Sequence, residues 1–338
     1  MYELKEFTSE YRSGVLAILP YLWKYPRHTI ERFFRWKHET NPLLSQPIGI
    51  VALCDGQVVG FRGLFAEQFQ IADSTIKVLS PCDLCVHPDH RRKGLFTKMN
   101  AVAMDLYKDE FRFFLNLSSG NTSGPGYMKM GWHVLSHKSY LRRLNPFKLL
   151  PKWLNWPRRF FDDLRIYTEP DVFAPLVSSV CERQPAISRC DMARSEDYVH
   201  WRYSNPQAKY RLLFLMEGDA PTCYFALRVF GRAAYIVDYA GISEAEGLPS
   251  LLRIVTKSQP FVILSILDVP MPQSLKKSLR TRHFHAYERL EQIIRRRSPH
   301  FPILLRPVRA DVREQDWFVD NRDMRLIENW KLTSISGD

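Results

Sequence analysis

Arg91, Arg92 and Lys93 stand in a row immediately before Gly94. A guanidinium grips phosphate through two parallel hydrogen bonds, and an ammonium adds a compact charge beside it. A glycine in such a run lets the backbone turn so that several N–H groups converge. Residues of these types at this spacing suit the capture of a phosphate or diphosphate. The elements that must hold them are legible on both sides. Ile76 to Val86 alternates apolar and polar residues and carries Val, Leu and Cys, which predicts a strand. Leu95, Met99, Val102, Ala103 and Leu106 recur at helical spacing. Strand, basic loop and helix together aim free backbone N–H groups and the positive end of a helix dipole at one point.

The totals limit what such a loop can serve. At 338 residues the chain is long enough for two domains with their own cores. An apolar share of 45% and an aromatic share of 13% exclude a disordered chain. A net charge of +12 implies an anionic partner: a nucleotide cofactor, an anionic membrane surface or nucleic acid. No RNA- or DNA-binding motif accompanies the charge, so no nucleic-acid partner is expected. Cys82-x-x-Cys85 is the one C-x-x-C pair among the six cysteines; it stands alone, with no second pair and no His-rich cluster to complete a ligand set. Neither a metal site nor a disulfide framework is therefore expected. Reduced thiols, no signal peptide and no run of about 20 apolar residues predict a cytoplasmic chain.

In chain order the sequence predicts two helical pieces over Phe7 to Trp36, a turn at Asn41-Pro42, and a hairpin of Gly49 to Cys54 and Val58 to Phe65 about Asp55-Gly56. The strand, basic loop and helix follow. Phe111 to Leu117 predicts another strand, Ser118 to Gly126 a glycine-rich elbow, Tyr127 to Trp132 a short helix and turn, and Trp132 to Leu141 a last strand. The pattern Arg91-x-x-Gly94-x-Phe96 resembles the diphosphate-binding signature of the GNAT superfamily of acyl-CoA-dependent N-acyltransferases. Phe96 stands where that signature has a small residue. Tyr127-x-Lys129-x-Gly131-Trp132 resembles a second GNAT signature and follows the first by about 30 residues, as in that superfamily. The resemblance implies an α+β fold with a mixed central sheet flanked by helices.

It also implies a chemistry: transfer of an acyl group from coenzyme A, acetyl-CoA in the simplest case, to a primary amine of a small polar acceptor such as an amino sugar. Backbone N–H groups of Arg92, Gly94, Phe96 and Thr97, with Arg91 nearby, would hold the diphosphate. Main-chain groups of Leu84 and Val86 would pair with the pantetheine arm as a neighbouring strand would. The strand from Phe111 would splay away to admit it, with Asn116 and Asn121 at the elbow. Tyr127 stands where the superfamily often has the acid that protonates the departing thiolate. For the base, Asp83 and Glu67 remain alternatives, each acting through water. By the period of two Asp83 faces away from the cofactor side, unless a bulge intervenes. The alternative function is a non-catalytic acyl-CoA-binding protein whose second half holds a partner.

That second half repeats the first. Trp36-Lys-His-Glu-Thr-Asn41-Pro42 is echoed by Trp201-Arg-Tyr-Ser-Asn205-Pro206, and hairpin, long strand, loop, helix and strand recur over Tyr210 to Leu267. Around Gly247, however, stand Glu244 and Glu246, and carboxylates repel a diphosphate. The chain therefore reads as two tandem GNAT-like domains: 1–145 with the acyl-CoA site, a linker over 146–165, and a degenerate copy over 166–338. The tail is expected to add a strand or two closing the second copy. The linker mixes Trp, Phe, Lys and Arg, so 147–161 offers either a packed connection or a peripheral contact with a membrane. Gly94→Glu is expected to abolish cofactor binding with the fold intact, and Gly247→Glu to change neither.

Overall fold

The structure, a computed structural model, describes residues 1–120, 123–149, 161–185, 188–287 and 301–337. Asn121 and most of 147–161 lie outside them. Two mixed sheets dominate. Across the first run β1 (Tyr2–Glu6), β2 (Gly49–Cys54), β3 (Gln57–Ile71), β4 (Ser74–Val86), β5 (Phe113–Asn116), β15 (Pro302–Pro307) and β6 (His133–His137). Across the second run β8 (Leu164–Tyr167), β10 (Tyr210–Glu217), β11 (Ala220–Phe230), β12 (Ala233–Gly241), β13 (Ile263–Leu267), β7 (Tyr140–Leu144) and β14 (His285–Ala286). A short β9 (Cys190–Met192) joins the edge of β3.

Turn chemistry sets the long strands that carry the site. Asp55 and Gly56 both take positive φ, 51° and 76°, which matches the twist of the β2–β3 hairpin. Between β3 and β4 the register shifts: Arg62 pairs with Leu84, but Leu64 pairs with Pro81. The extra residue on β4 is a bulge, so the simple alternation assumed for Asp83 fails there. Beyond that bulge β4 and β5 part company. They pair in parallel only at Val78–Phe113 and Leu79–Phe114. Pro81 offers no N–H for a continued ladder, and β15 holds β5 along its other edge from Phe113 to Asn116. A wedge opens between the two strands.

Helices cover the first sheet on both faces. α1 (Arg12–Ile18) and α2 (Arg27–Phe34) bury Val15, Ile18, Ile30 and Phe34 against Val51, Phe61 and Cys85. α3 (Leu95–Leu106) sends Leu95, Met99 and Ala103 to Leu79 and Phe114. The remaining helices are α4 (Gly124–Lys129), α5 (Pro170–Glu182), α6 (Glu196–Tyr203), α7 (Gly247–Ser258) and α8 (Gln273–Thr281), of which α7 and α8 pack on the second sheet.

Two expectations about strands change. Residues 132–141 do not form one strand: β6 stays in the first sheet, while β7, two residues later, pairs with β13 in the second. The tail strand β15 does not close the second sheet; it inserts between β5 and β6 of the first. The second sheet thus takes β7 from the first half of the chain, and the first sheet takes β15 and β9 from the second. A shared core of Phe65, Phe69, Phe173, Trp201, Phe214 and Trp330, among others, fills the space between them. No helix among the described residues is long and apolar enough to cross a membrane.

Candidate active site

The wedge between β4 and β5 is the mouth of a cleft of about 520 Å³. Its walls come from the bulge of β4 (Ser80 to Leu84), from the end of β5 and its elbow (Leu115 to Ser119), and from Arg62, Lys37, Trp23 and Tyr127. The basic loop lies at the far end of β4. Arg92 and Gly94 both take left-handed backbone angles, φ 60° and 74°. The first helical bond of α3 runs from Lys98 N–H to Gly94 O at 3.1 Å. The N–H groups of Leu95, Phe96 and Thr97 precede it and have no acceptor within the helix. Arg91, Arg92, Lys93, Gly94 and Thr97 are exposed, and Arg91 Nε reaches the Val86 carbonyl at 3.1 Å. Leu84 lines the cleft.

Phe96 does not fill the place of the anion. Its ring packs against α4, edge-on to Tyr127 with centroids 5.1 Å apart. A Cβ on Gly126 would come within 2.6 Å of it, so a glycine opposite makes room for the large residue in the loop. Asn116 is buried at the end of β5, where its Oδ1 accepts from the N–H of Ser118 at 2.8 Å and shapes the elbow.

Tyr127 is 2% exposed, held between Phe96 and Trp132, with its oxygen accepting a hydrogen bond from Arg62 Nη2. The two carboxylates fare differently. Asp83 is brought to the cleft by the bulge, yet it is already engaged: Trp23 Nε1 at 3.0 Å, Lys37 Nζ at 3.1 Å and His38 Nε2 at 3.0 Å all meet it. Burial opposes its charge, but Lys37 and His38 outweigh that and hold the carboxyl well below the usual carboxylate range. Such a group is a weak base. His38, Cys82 and Asp83 bring ligand atoms within 4.8 Å of one another, with the Lys37 ammonium standing as the cation on Asp83. Burial pushes the Cys82 thiol up to about 12, which leaves it protonated. Glu67 is fully buried behind Ser80, whose hydroxyl donates to it, and it does not line the cleft.

Nothing in the sequence marks Lys37, His38 and Trp23 as neighbours of the site, because the first two sit on the helical segment after α2 and Trp23 on the connection before it, all far from the loop in sequence. Arg62 is likewise far from the loop. A charged residue flanked by Phe61 and Gly63 inside an apolar strand was the one signal available for it.

The second half builds a similar frame around Asp238. Tyr203 stands two residues after Trp201, as His38 does after Trp36, and it donates to Asp238 at 3.2 Å as His38 meets Asp83. The loop before α7 differs. Ser243 O accepts the N–H groups of both Glu246 and Gly247 at 3.3 and 2.9 Å, so they do not face outward. Glu246 has φ −112°, and Glu244 is paired with Lys331 at 2.6 Å. Gly247 is also less permissive than expected, since an added Cβ would lie 3.1 Å from the buried Cys223 sulfur.

Residues 3–135 match the family model for the acetyltransferase (GNAT) domain. The chain carries a GNAT acetyltransferase domain. The whole chain also resembles larger solved structures in fold. A probable N-acyltransferase from Enterococcus faecalis superposes with a TM-score of 0.64 at 11% identity, covering 92% of this chain and 73% of that one. A GCN5-related N-acetyltransferase from Anabaena variabilis gives 0.62 at 10% identity, covering 91% and 73%. Eis1 from Mycobacterium abscessus gives 0.56 at 12% identity, covering 91% and 74%. No curated protein sequence matches the chain. Within the GNAT domain the matched segment ends at β6, before the chain crosses to the second sheet.

Proposed function

We propose that the chain moves an acyl group, acetyl in the simplest case, from coenzyme A to a primary amine of a small polar acceptor such as an amino sugar. The observation that carries this reading is the wedge between β4 and β5, which ends at a buried tyrosine and leads back to a loop of outward N–H groups. A diphosphate fits that loop: Gly94 supplies the turn, the N–H groups of Phe96 and Thr97 the donors, and Arg91, Arg92 and Lys93 the charge. The β4 edge from Leu84 toward Val86 offers main-chain groups to the amides of a pantetheine arm.

Tyr127 serves as the acid that gives a proton to the departing sulfur. Asp83, matched by Asp238 in the other half, serves the frame: it fixes the helical segment bearing Lys37 and His38 against the bulge. Glu67 is left as a base only through Ser80 and water. The two halves are one working copy over 1–145 and one degenerate copy over 166–338, whose loop has turned inward.

The test is release of free coenzyme A from acetyl-CoA in the presence of primary amines, amino sugars among them. Turnover with at least one, lost in Gly94→Glu, is the expected result. Tight binding of the thioester with no release in any amine would favour a non-catalytic binding protein instead.

A further inference from the structure

Arg62 lies in the middle of β3 and lines the cleft that holds Tyr127. It is 2% exposed. Nη1 donates to the Cys82 carbonyl at 2.8 Å, Nη2 donates to the Tyr127 hydroxyl oxygen, and the guanidinium carbon lies 5.6 Å from the tyrosine ring centroid. Neither partner is a carboxylate, and Nε is buried with no hydrogen-bond partner among the described residues. The other charges lining the cleft, Lys37 and Asp83, are paired with each other at 3.1 Å. A buried cation held by neutral oxygens is costly, and such an arrangement is expected where negative charge arises during function.

The second half supplies a comparison within the same chain. Leu84 follows Asp83 and pairs with Arg62; Tyr239 follows Asp238 and pairs with Phe225. The copy whose loop has turned inward has an apolar ring where the first has a guanidinium. Arg62 therefore accompanies the anion loop and is not demanded by the fold.

We infer that Arg62 is the positioning residue for Tyr127. Its Nη2–H occupies a lone pair of the phenol, so the single hydroxyl proton is left to point into the cleft. Its charge then holds the phenolate that remains once that proton has gone. The inference rests on the acyl-transfer reading and adds a residue to it. In that reaction the amine nitrogen forms the new C–N bond while the C–S bond breaks and its electron pair leaves on sulfur. Tyr127 gives its proton to the sulfur. The proton shed by the nitrogen returns through the cleft to the phenolate, so tyrosine and arginine are restored with no net charge left behind.

The experiment uses the full chain with acetyl-CoA as donor and hydroxylamine as acceptor, a nucleophile small enough to need no acceptor pocket. Arg62→Gln and Tyr127→Phe should each slow coenzyme A release about 100-fold. The double variant should be no slower than either single one, within about threefold. Calorimetric affinity for coenzyme A should stay within about threefold throughout, which a merely collapsed cleft would not allow. Arg62→Lys keeps charge and bulk and serves where the glutamine variant does not fold. It should cost about 10-fold alone and nothing in the Tyr127→Phe background. Losses that multiply, or an Arg62→Gln rate within about threefold of the unchanged chain, overturn the inference and leave acyl transfer standing. An unchanged chain that binds coenzyme A and releases none from acetyl-CoA overturns the acyl-transfer reading, and the inference with it.

Discussion

Asp83 shows how a single carboxylate divides between structure and chemistry. It lies in the cleft, but Lys37, His38 and Trp23 consume it. Removing it strands the Lys37 ammonium, 8% exposed, without a counter-ion. Asp83→Ala should therefore cost about 3–5 kcal/mol of stability by denaturant titration. The pH dependence follows from the direction of the shift. A carboxyl lowered on folding contributes stability that is complete above its unfolded value and is lost as pH falls through the folded one. The acid limb of stability should thus begin to drop below about pH 4, and Asp83→Asn should flatten it. Gly94 poses the opposite case. A Cβ there meets nothing nearer than Lys98 Cε at 3.9 Å, so the cost is the left-handed backbone alone, about 1–2 kcal/mol. Gly94→Glu should stay folded and lose coenzyme A, as read by melting temperature and calorimetry together.

Among elements, the strand–loop–helix unit was plain in the sequence because its signals are local: alternation, a basic run, one glycine, then helical spacing. β4 and α3 fall where that pattern put them. What was not legible depends on partners remote in the chain. The bulge that turns Asp83 inward needs the register against β3. The packing of Phe96 on Gly126 needs α4 to return beside α3. Arg62 looked like an interruption in an apolar strand, since nothing nearby in sequence names Tyr127. The Phe96–Gly126 pair can be tested as a unit. Gly126→Ala should push α4 and slow turnover about 10-fold through Tyr127, while Gly126→Ala with Phe96→Leu should recover most of the loss.

Across the whole molecule the two sheets interlock. β7 borders β13 in the second sheet as β15 borders β5 in the first, both antiparallel. At the centre, Trp36 Nε1 donates to the Trp201 carbonyl at 2.7 Å and Trp201 Nε1 donates to the Trp36 carbonyl at 2.8 Å, with the rings stacked 5.5 Å apart. Such reciprocity is the mark of a two-fold contact, here within one chain. The repeat of Trp and Asn-Pro was visible in sequence, but strand exchange leaves no local trace, because β7 and β15 read as ordinary strands. One consequence is cooperativity. Chains cut near residue 150 should yield halves that do not fold alone and recover native circular dichroism only when mixed, and the intact protein should unfold in a single transition. A second consequence is functional asymmetry: the frame is duplicated, and the outward loop is not. Titrating the chain with acetyl-CoA by calorimetry tests that most directly. One equivalent bound per chain and none in Gly94→Glu is the expected result; two equivalents, or none in the unchanged protein, would contradict a single working loop.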